Sequence, residues 1–284
     1  MTEFVTYLVS GIALGSSFAL IGSGFVVVHR VTRVVNFAQG SLAVFGAMLS
    51  AWLLAGRLPH GFGELVAVLV SGIAGLVVGL IAIGRRGTHP LISLIVTLGV
   101  SMLFAALIIW LWGQDPVAPP GLRGFATVFG AEVERQRLLV VVVTLVAFAV
   151  LALFFSRTYL GKALTASASN PHAARLVGID VRRMGLVAFA LSGVLGGLAG
   201  VLLAPSTALS FYSDLPMALS GFAAAVFGGL VSPLRTLLGG LALGVAGQLT
   251  AGYWNGSYQT EVALVLMLVI MIARSRSLTE EEAK

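Results

Sequence analysis

Long apolar stretches run through most of this chain, and they decide which solvent its surface can face. Of the 284 residues, 58% are hydrophobic and only 10% are charged. A soluble domain carries about 25% charged residues, which help to cover its water-facing surface. Because this chain has too few, we expect most of its surface to face lipid. The sequence therefore predicts an all-α polytopic membrane protein.

Nine of these stretches approach the length that crosses a bilayer, which is about 20 mostly apolar residues. We expect eight to ten helical elements in a single transmembrane domain over residues 1–284. The second, seventh and ninth stretches are short or polar at one end, and each is a candidate for a broken, re-entrant or partly interfacial helix. The nine stretches are residues 4–28, 37–54, 65–83, 91–112, 138–155, 184–203, 217–231, 237–253 and 260–273.

The positions of Lys and Arg predict the orientation, because cytoplasmic loops of membrane proteins are enriched in both. If the N-terminus lies outside and all nine stretches cross, 13 of the 17 Lys and Arg residues fall inside and 17 − 13 = 4 fall outside. We therefore expect a cytoplasmic C-terminus, and we attribute the net charge of +6 to cytoplasmic loops rather than to nucleic-acid binding. Two loops are long. Residues 113–137 are expected outside with one short helix, and residues 156–183 are expected inside.

Ionisable side chains are scarce within the nine stretches, where they are costly and usually functional. Glu261 lies at the edge of the last stretch and Arg235 lies in a tight turn. This scarcity argues against a proton-coupled carrier and an intramembrane enzyme, and it leaves open a sodium site built from carbonyls and hydroxyls. We expect no catalytic residue and no metal site. Loops or helix ends are the expected positions of the histidines, which are His29, His60, His89 and His172.

A nucleotide-binding P-loop is also missing from the sequence, since that loop requires Gly-x-x-x-x-Gly-Lys followed by Ser or Thr. The only Gly-Lys pair is Gly161–Lys162, which is followed by Ala163 and has no glycine five residues before Gly161. If this chain belongs to a pump, ATP and magnesium are expected to bind to another polypeptide. We expect no cofactor in this chain itself.

Glycines four residues apart mark helix faces on which two backbones can approach closely. We expect these faces to pack within the chain. A short echo also links residues 43–47 with residues 225–229, and the predicted topology runs the two segments in opposite directions, which is the pattern of an inverted repeat. The glycine pairs are Gly11 and Gly15, Gly75 and Gly79, Gly193 and Gly197, Gly196 and Gly200, and Gly240 and Gly244.

A polar segment leads into the second stretch and is a candidate for the translocation path. One interpretation is an interfacial cap, in which the side-chain oxygen of Asn36 caps the helix. The other is a bent helix that lines the path and is loosened by Gly40. The fourth stretch carries comparable polar and flexible positions at mid-helix. The candidate path residues are Asn36, Gln39, Gly40, Ser41, Thr97, Gly99 and Ser101.

Residues 170–178 carry the sharpest local pattern, which predicts a short helix in the long inside loop. Asn170 suits the N-cap, Pro171 suits the first helical position, and Gly178 suits the left-handed residue after a helix. Asp180 is expected to cap the next helix. A helix this short is marginal in water, so it either rests on the protein's own surface or docks on a partner. The candidate docking residues are Asn170, Pro171, His172, Ala173, Ala174, Arg175, Leu176 and Gly178, with Ala173, Ala174 and Leu176 as a small apolar face.

In combination, these motifs resemble the bacterial branched-chain amino-acid ABC transporter permeases over residues 5–275. The chain is most similar to the LivH type, which has an Asn-Phe-Ala-x-Gly motif and no long N-terminal extension. The turn at residues 232–235 departs from the glycine-rich turn that is usual in this family. The matching segments are residues 36–40, 97–99, 157–158, 161–164, 166, 170–171, 173–180, 189–193, 200–202 and 227–230.

The resemblance implies a type II ABC importer-like permease in the bacterial inner membrane. Besides the lipid bilayer, it implies three kinds of protein partner: a LivM-like second permease, two cytoplasmic ATPase subunits, and an extracytoplasmic substrate-binding protein that delivers leucine, isoleucine or valine. It also implies that residues 170–178 are the coupling helix that docks on an ATPase. Two alternatives stay open, a permease for urea, an amide or a sugar, and an autonomous facilitator or channel.

Overall fold

The computed structural model describes residues 2–83, 90–128, 130–254, 256, 261, 262 and 264–269, and most of these are helical. The named elements are ten α-helices, a two-stranded hairpin and one 3-10 helix, Phe211–Ser213. The α-helices are α1 Thr2–Thr32, α2 Gln39–Ala55, α3 Phe62–Ala82, α4 Pro90–Trp112, α5 Arg135–Arg157, α6 Tyr159–Ser169, α7 Pro171–Leu176, α8 Val181–Leu203, α9 Asp214–Phe227 and α10 Pro233–Tyr253. The strands are β1 Phe125–Val128 and β2 Ala131–Glu134.

Five helices in the described part of the chain are long and apolar enough to cross a bilayer: α1, α3, α4, α5 and α8. By contrast, α2 has 17 residues and α9 has 14. At about 1.5 Å per residue they extend about 26 Å and 21 Å, less than a hydrocarbon core of about 30 Å. The second and seventh predicted stretches are therefore short helices. Residues 261, 262 and 264–269 of the ninth stretch are helical, and the rest of it lies outside the described residues.

The segment between α4 and α5 contains a β-hairpin, so the short helix that we predicted there is wrong. β1 and β2 pair antiparallel, with Phe125 opposite Glu134. Ala131 and Val133 are buried, and Glu132 between them is exposed. This alternation is typical of a strand with one buried face. Val117 also exchanges two backbone hydrogen bonds with Leu209, which ties the segment after α4 to the segment after α8.

Residues 156–183 form two helices where the sequence predicted one. The additional helix, α6, begins after Thr158, whose Oγ1 accepts a hydrogen bond of 3.0 Å from the Gly161 backbone N–H. Its inner face buries Ala163 and Leu164. We refer to the end of the bundle that carries α6 and α7 as the α7 end, and to the opposite end as the hairpin end.

Helices α1–α3 and α8–α10 form two halves that pack as an inverted repeat, as the short echo predicted. Each half has a long helix, a short helix and a second long helix. α1 packs most closely on α10, and α8 packs in the same way on α3. α9 lies between α1 and α10, as α2 lies between α8 and α3. The long helices α1 and α8 run in opposite directions, since Gly185 near the start of α8 lies beside Thr32 at the end of α1.

Glycines form the closest contacts between the two halves. A Cβ added to Gly75 of α3 would lie 2.5 Å from the Phe189 carbonyl oxygen of α8. A Cβ added to Gly240 of α10 would lie 2.6 Å from the Gly15 carbonyl oxygen of α1. Since real Cβ atoms do not approach backbone this closely, the two helix pairs require glycine at these positions. Related contacts join Gly11 to Gly244, Gly193 to Gly75, Gly79 to Phe189, Gly200 to Ala43, and Gly22 to Gly221.

The turn between α9 and α10 is where the sequence departs from the glycine-rich turn of the family. Gly229 and Leu230 both have left-handed backbones, with φ of 75° and 57°. Glycine adopts this conformation readily, whereas Leu230 does so against the preference of a residue with a Cβ. Pro233 then begins α10, and the Thr236 N–H donates to the Ser232 carbonyl oxygen at 3.1 Å. The turn is therefore tight without a glycine at Leu230.

Candidate translocation and docking sites

The short helix α2 begins in the interior of the bundle. The Nε2 of Gln39, its first residue, donates a hydrogen bond of 3.0 Å to the carbonyl oxygen of Ser192 in α8. Ser192 follows the first residue of α8 by 192 − 181 = 11 residues, which is about 16 Å along the helix. That distance is about half of a hydrocarbon core of about 30 Å. The polar segment therefore lies against the middle of α8 rather than at either end of that helix.

The short helix α9 begins at the same depth, where the Asp214 carboxylate contacts hydroxyls of two other helices. Ser41 Oγ of α2 donates to Asp214 Oδ2 at 2.9 Å, and Ser101 Oγ of α4 donates to the same oxygen at 3.2 Å. The two hydroxyl oxygens are 2.8 Å apart. Ser101 follows Pro90 by 101 − 90 = 11 residues, again about 16 Å into its helix. We name Ser41, Ser101 and Asp214 the midplane cluster.

Gly40 allows the beginnings of α2 and α9 to touch. A Cβ at this position would overlap the Asp214 carbonyl oxygen and would lie 2.9 Å from the Ala218 Cβ. Gly40 is buried in α2. Its structural role is thus to permit a close contact between two helix N-termini, whereas we predicted that it loosens a bent helix.

A reciprocal pair of hydrogen bonds holds the beginning of α2 on α8. The Ser192 hydroxyl donates to Gln39 Oε1, while Gln39 Nε2 donates to the Ser192 carbonyl oxygen. Both residues are fully buried. Gly24 of α1 and Gly196 of α8 lie directly against the Gln39 amide, where a Cβ would meet it. The amide therefore fills a space that these two glycines leave open.

Asn36 is buried just before α2, but it does not cap the helix. Its Oδ1 accepts a hydrogen bond of 3.2 Å from the Ala38 N–H, which forms a turn ahead of the helix. Ala38 occupies the N-cap position and makes no side-chain cap. The capping prediction is wrong because the N-cap position is Ala38, two residues after Asn36. The Asn36 Nδ2 has no hydrogen-bond partner in the described part of the chain.

The remaining two predicted path residues lie in different environments. Thr97 is buried and accepts a hydrogen bond of 3.3 Å from the Phe37 N–H, so it supports the turn before α2. Gly99 is exposed, and a Cβ added there would meet nothing within 4 Å. The structure thus brings Ser41 and Ser101 together and leaves Gly99 on the outer surface of α4.

Sequence reasoning missed Asp214. We expected almost no ionisable group inside the bundle because the seventh stretch was taken to begin at residue 217, and the position of Asp214 contradicts that expectation. Asp in the first turn before an apolar run is a typical helix N-terminus. That signal would have started the helix at Asp214, although it would not have located the two serines.

A second group of polar side chains lines a cleft of about 210 Å³ near the hairpin end. Arg137 of α5 donates to the Ser10 hydroxyl of α1 and pairs with the Glu134 carboxylate at 3.1 Å. Thr207 and Gln248 also line this cleft. Because Arg137 already has partners on two elements, we assign it to holding α5 against α1.

The short helix α7 has the local structure that its sequence predicts. Asn170 Oδ1 accepts hydrogen bonds of 3.0 Å from the backbone N–H groups of His172 and Ala173. At the other end, Gly178 has φ of 83°, its N–H donates to the Arg175 carbonyl oxygen, and the Ile179 N–H donates to the Ala174 carbonyl oxygen. These paired bonds form a Schellman closure. Asp180 caps α8 as predicted, through the Arg182 and Arg183 N–H groups.

One part of the predicted apolar face of α7 is wrong. Ala174 is buried against the protein, so it is not available to a partner. The exposed apolar side chains are Leu176 at 80% and Val177 at 76%. His172, Ala173 and Arg175 are exposed beside them. The outer face of α7 is thus a small apolar patch with a basic edge.

Metal chemistry finds no support in the described residues, which contain no group of three His, Cys, Asp or Glu side chains placed to hold an ion. His172 lies on the exposed face of α7, and His60 lies beside Glu64 at the beginning of α3. His29 lies near the end of α1. His89 is outside the described residues.

Comparisons with known proteins agree with this architecture. A family model described as the permease component of a branched-chain amino acid transport system matches residues 7–274. The chain belongs to this family. Among its relatives, LivH of Escherichia coli strain K12, a high-affinity branched-chain amino acid transport system permease protein, is 27% identical over 95% of the chain and 93% of the relative. The D-allose transport system permease protein AlsC of the same organism is 29% identical over 92% of the chain and 75% of the relative.

The fold of the permease also matches a solved structure, PsaBC from Streptococcus pneumoniae in complex with Fab. The TM-score is 0.56, with 13% sequence identity, over 95% of this chain and 91% of that chain. At this identity the similarity shows the fold alone. With the family match, it confirms the predicted fold class, an all-α polytopic membrane permease of the ABC transporter type.

Proposed function

We propose that this chain is the membrane-spanning translocation subunit of an ATP-driven importer for branched-chain or related amino acids. The family match over residues 7–274 carries the proposal. We place the permease in the bacterial inner membrane, with the α7 end and the C-terminus in the cytoplasm. The excess of Lys and Arg in the predicted inside loops supports this orientation.

Energy for import comes from other subunits in this proposal. Two ATPase subunits bind ATP and magnesium, a LivM-like second permease completes the membrane path, and an extracytoplasmic binding protein delivers the substrate. This chain itself contributes no catalytic residue, cofactor or metal. The preformed α7 supports the ATPase contact, because its caps fix a helix of six residues that would be marginal alone in water.

The mechanism follows from where the sites lie. ATP binding draws the two ATPase subunits together and moves α7 with them. α7 packs against α6 and the beginning of α8, and Ser192 of α8 holds the beginning of α2. A displacement of α8 is thereby passed to the point where α2 and α9 meet. Of the proposed path residues, Gln39, Gly40, Ser41 and Ser101 lie at this point. Asn36 and Thr97 lie at the turn before α2, and Gly99 lies on the outer surface of α4.

Transport in vesicles tests the proposal. The permease is purified with the second permease and ATPases encoded beside its gene, and is reconstituted with the binding protein on one side and ATP on the other. We expect leucine uptake that requires ATP and every subunit. Uptake at the same rate by this chain alone would identify an autonomous facilitator and would overturn the proposal.

The docking role of α7 has a matched pair of variants. Leu176→Asp places a charge on the exposed face of α7, and Leu122→Asp places the same charge on a leucine that is 53% exposed near the hairpin end. An interface residue of this kind contributes about 2 kcal/mol, so we expect co-purification of the ATPases to fall at least about tenfold for Leu176→Asp. Equal binding by both variants would place the ATPases elsewhere.

A sugar is the second candidate substrate, favoured by the similarity to AlsC. Ligand binding by the cognate external protein separates the two substrates. If that protein binds a pentose or hexose and not leucine, and the vesicles take up the sugar, the amino-acid assignment is wrong while the ATP-driven importer stands.

A further inference from the structure

The Asp214 carboxylate has an unusual environment for the interior of a membrane protein. It lies about 16 Å from the start of α4 by its contact with Ser101. None of the ion pairs among the described residues includes it. Carboxylates at this depth are costly, and where they occur they pair with a cation or serve a substrate path.

The neighbouring donors stabilise this carboxylate without saturating it. Oδ2 accepts from the hydroxyls of Ser41 and Ser101, and Oδ1 accepts from the Leu215 N–H at 2.7 Å. A carboxylate has about four acceptor positions, so one remains on Oδ1. Three neutral donors hold the group in place, and none of the ion pairs in the described part of the chain neutralises its charge.

The free side of Asp214 opens at the surface of the chain. Ser41 is fully buried behind the carboxylate, whereas Asp214 and Ser101 are only partly buried. Leu215 and Pro216, the next two residues, are exposed. A molecule that approaches this side therefore meets a carboxylate next to an apolar surface.

We infer that the Asp214 carboxylate binds the ammonium group of the amino acid as it passes the middle of the membrane. The inference rests on the proposed function and deepens it. A branched-chain amino acid combines a cationic ammonium group with an aliphatic side chain, which matches a carboxylate beside Leu215. Ser41 and Ser101 are positioning residues that hold the carboxylate, and the glycine at position 40 lets α9 approach closely enough for them to reach it.

Two other roles would explain the same geometry, and the experiment separates them. The variant Asp214→Asn keeps an oxygen that accepts from the two serine hydroxyls and removes the charge. A purely structural link among α2, α4 and α9 would survive Asp214→Asn. A carboxylate that pairs with a cation of the second permease would lose assembly in this variant.

The closing experiment measures leucine uptake by reconstituted wild-type and Asp214→Asn complexes, with Asp115→Asn, an exposed aspartate of the segment after α4, as the control. A charge-assisted hydrogen bond contributes about 1.5–3 kcal/mol, so we expect uptake below saturation to fall at least about tenfold. Co-purification of the second permease, the melting temperature and the ATPase rate without substrate should stay unchanged. Asp115→Asn should retain wild-type uptake.

The inference is overturned if the wild-type complex transports leucine and Asp214→Asn transports it within about twofold of that rate. It is also overturned if Asp214→Asn loses the second permease or its thermal stability, since either loss assigns the carboxylate to assembly. If the wild-type complex takes up no amino acid, the proposed function fails first, and that result is distinct from a defect of the variant.

Discussion

The two halves of the permease, α1–α3 and α8–α10, pack alike but begin their short helices differently. Glycines on both halves bring the long helices of one half into backbone contact with those of the other. The helix α2 begins with Gln39, which is sealed inside the bundle and bonded to Ser192. The helix α9 begins with Asp214, whose carboxylate is partly exposed. The repeat thus determines how the helices pack. The first residue of each short helix determines whether that position holds a buried hydrogen bond, as at Gln39, or a partly exposed charge, as at Asp214.

This difference assigns separate tasks to the halves. A buried amide with reciprocal hydrogen bonds on α8 favours a fixed link between α2 and the helix that follows α7. A partly exposed carboxylate favours contact with a molecule that reaches the surface of the chain at Asp214, such as the transported substrate. We therefore expect glycine substitutions in the two halves to be equally destabilising. Substitutions at the first residues of α2 and α9 should have unequal effects.

The largest effect is expected at the paired glycines. Gly75→Ala and Gly240→Ala each place a methyl group 2.5–2.6 Å from a backbone oxygen of the facing helix, and overpacking of this kind costs about 1–3 kcal/mol or more. We expect both variants to lower the melting temperature of the detergent-purified protein by similar amounts. A large loss for one variant and none for the other would break the structural equivalence of the halves.

A smaller effect is expected at Gln39. Gln39→Leu removes both hydrogen bonds to Ser192 and leaves the buried Ser192 hydroxyl without its acceptor. We therefore expect the free energy of unfolding to fall by about 1–2 kcal/mol. Ser192→Ala is the companion variant, and the double variant should lose less than the sum of the two single losses. If the loss in free energy of unfolding for the double variant equals the sum of the two single losses, the two side chains do not interact.

The smallest effect is expected at Gly99, which serves as the control for the glycine variants. A methyl group there meets nothing within 4 Å, and alanine favours a helix over glycine by about 1 kcal/mol. Gly99→Ala should therefore melt at or slightly above the wild-type temperature. Destabilisation similar to that of Gly75→Ala would mean that α4 contacts another helix at this position.

The sequence predicted best those features whose residues lie close together along the chain. The helix α7 was predicted with its caps because Asn170, Pro171 and Gly178 act within nine residues of one another. The spanning helices were found because hydropathy is averaged over a long window. The hairpin was missed because its strands have four residues each, too few for a clear alternation.

The midplane cluster could not be assembled from the sequence. Ser41 and Asp214 are 173 positions apart, and Ser101 and Asp214 are 113 apart. Two serines and an aspartate in three different segments give no pattern until the helices are placed. The same holds for the glycines, whose spacing was visible while their partners were not. Burial of Ala174 and exposure of Leu176 likewise depend on how α7 rests on α6 and α8.

Glycines join α1 to α10 and α3 to α8 by backbone contact, so at those points no side chain lies between the helices that could change its rotamer and absorb a shift. Each pair must then move as a rigid body, since sliding by part of a turn would drive backbone atoms together. The two connections that lead to the short helices, residues 33–38 before α2 and residues 204–213 before α9, lie outside these close helix contacts. A displacement of either helix pair would therefore be taken up in these connections, which lead to the two helix beginnings that touch at Gly40.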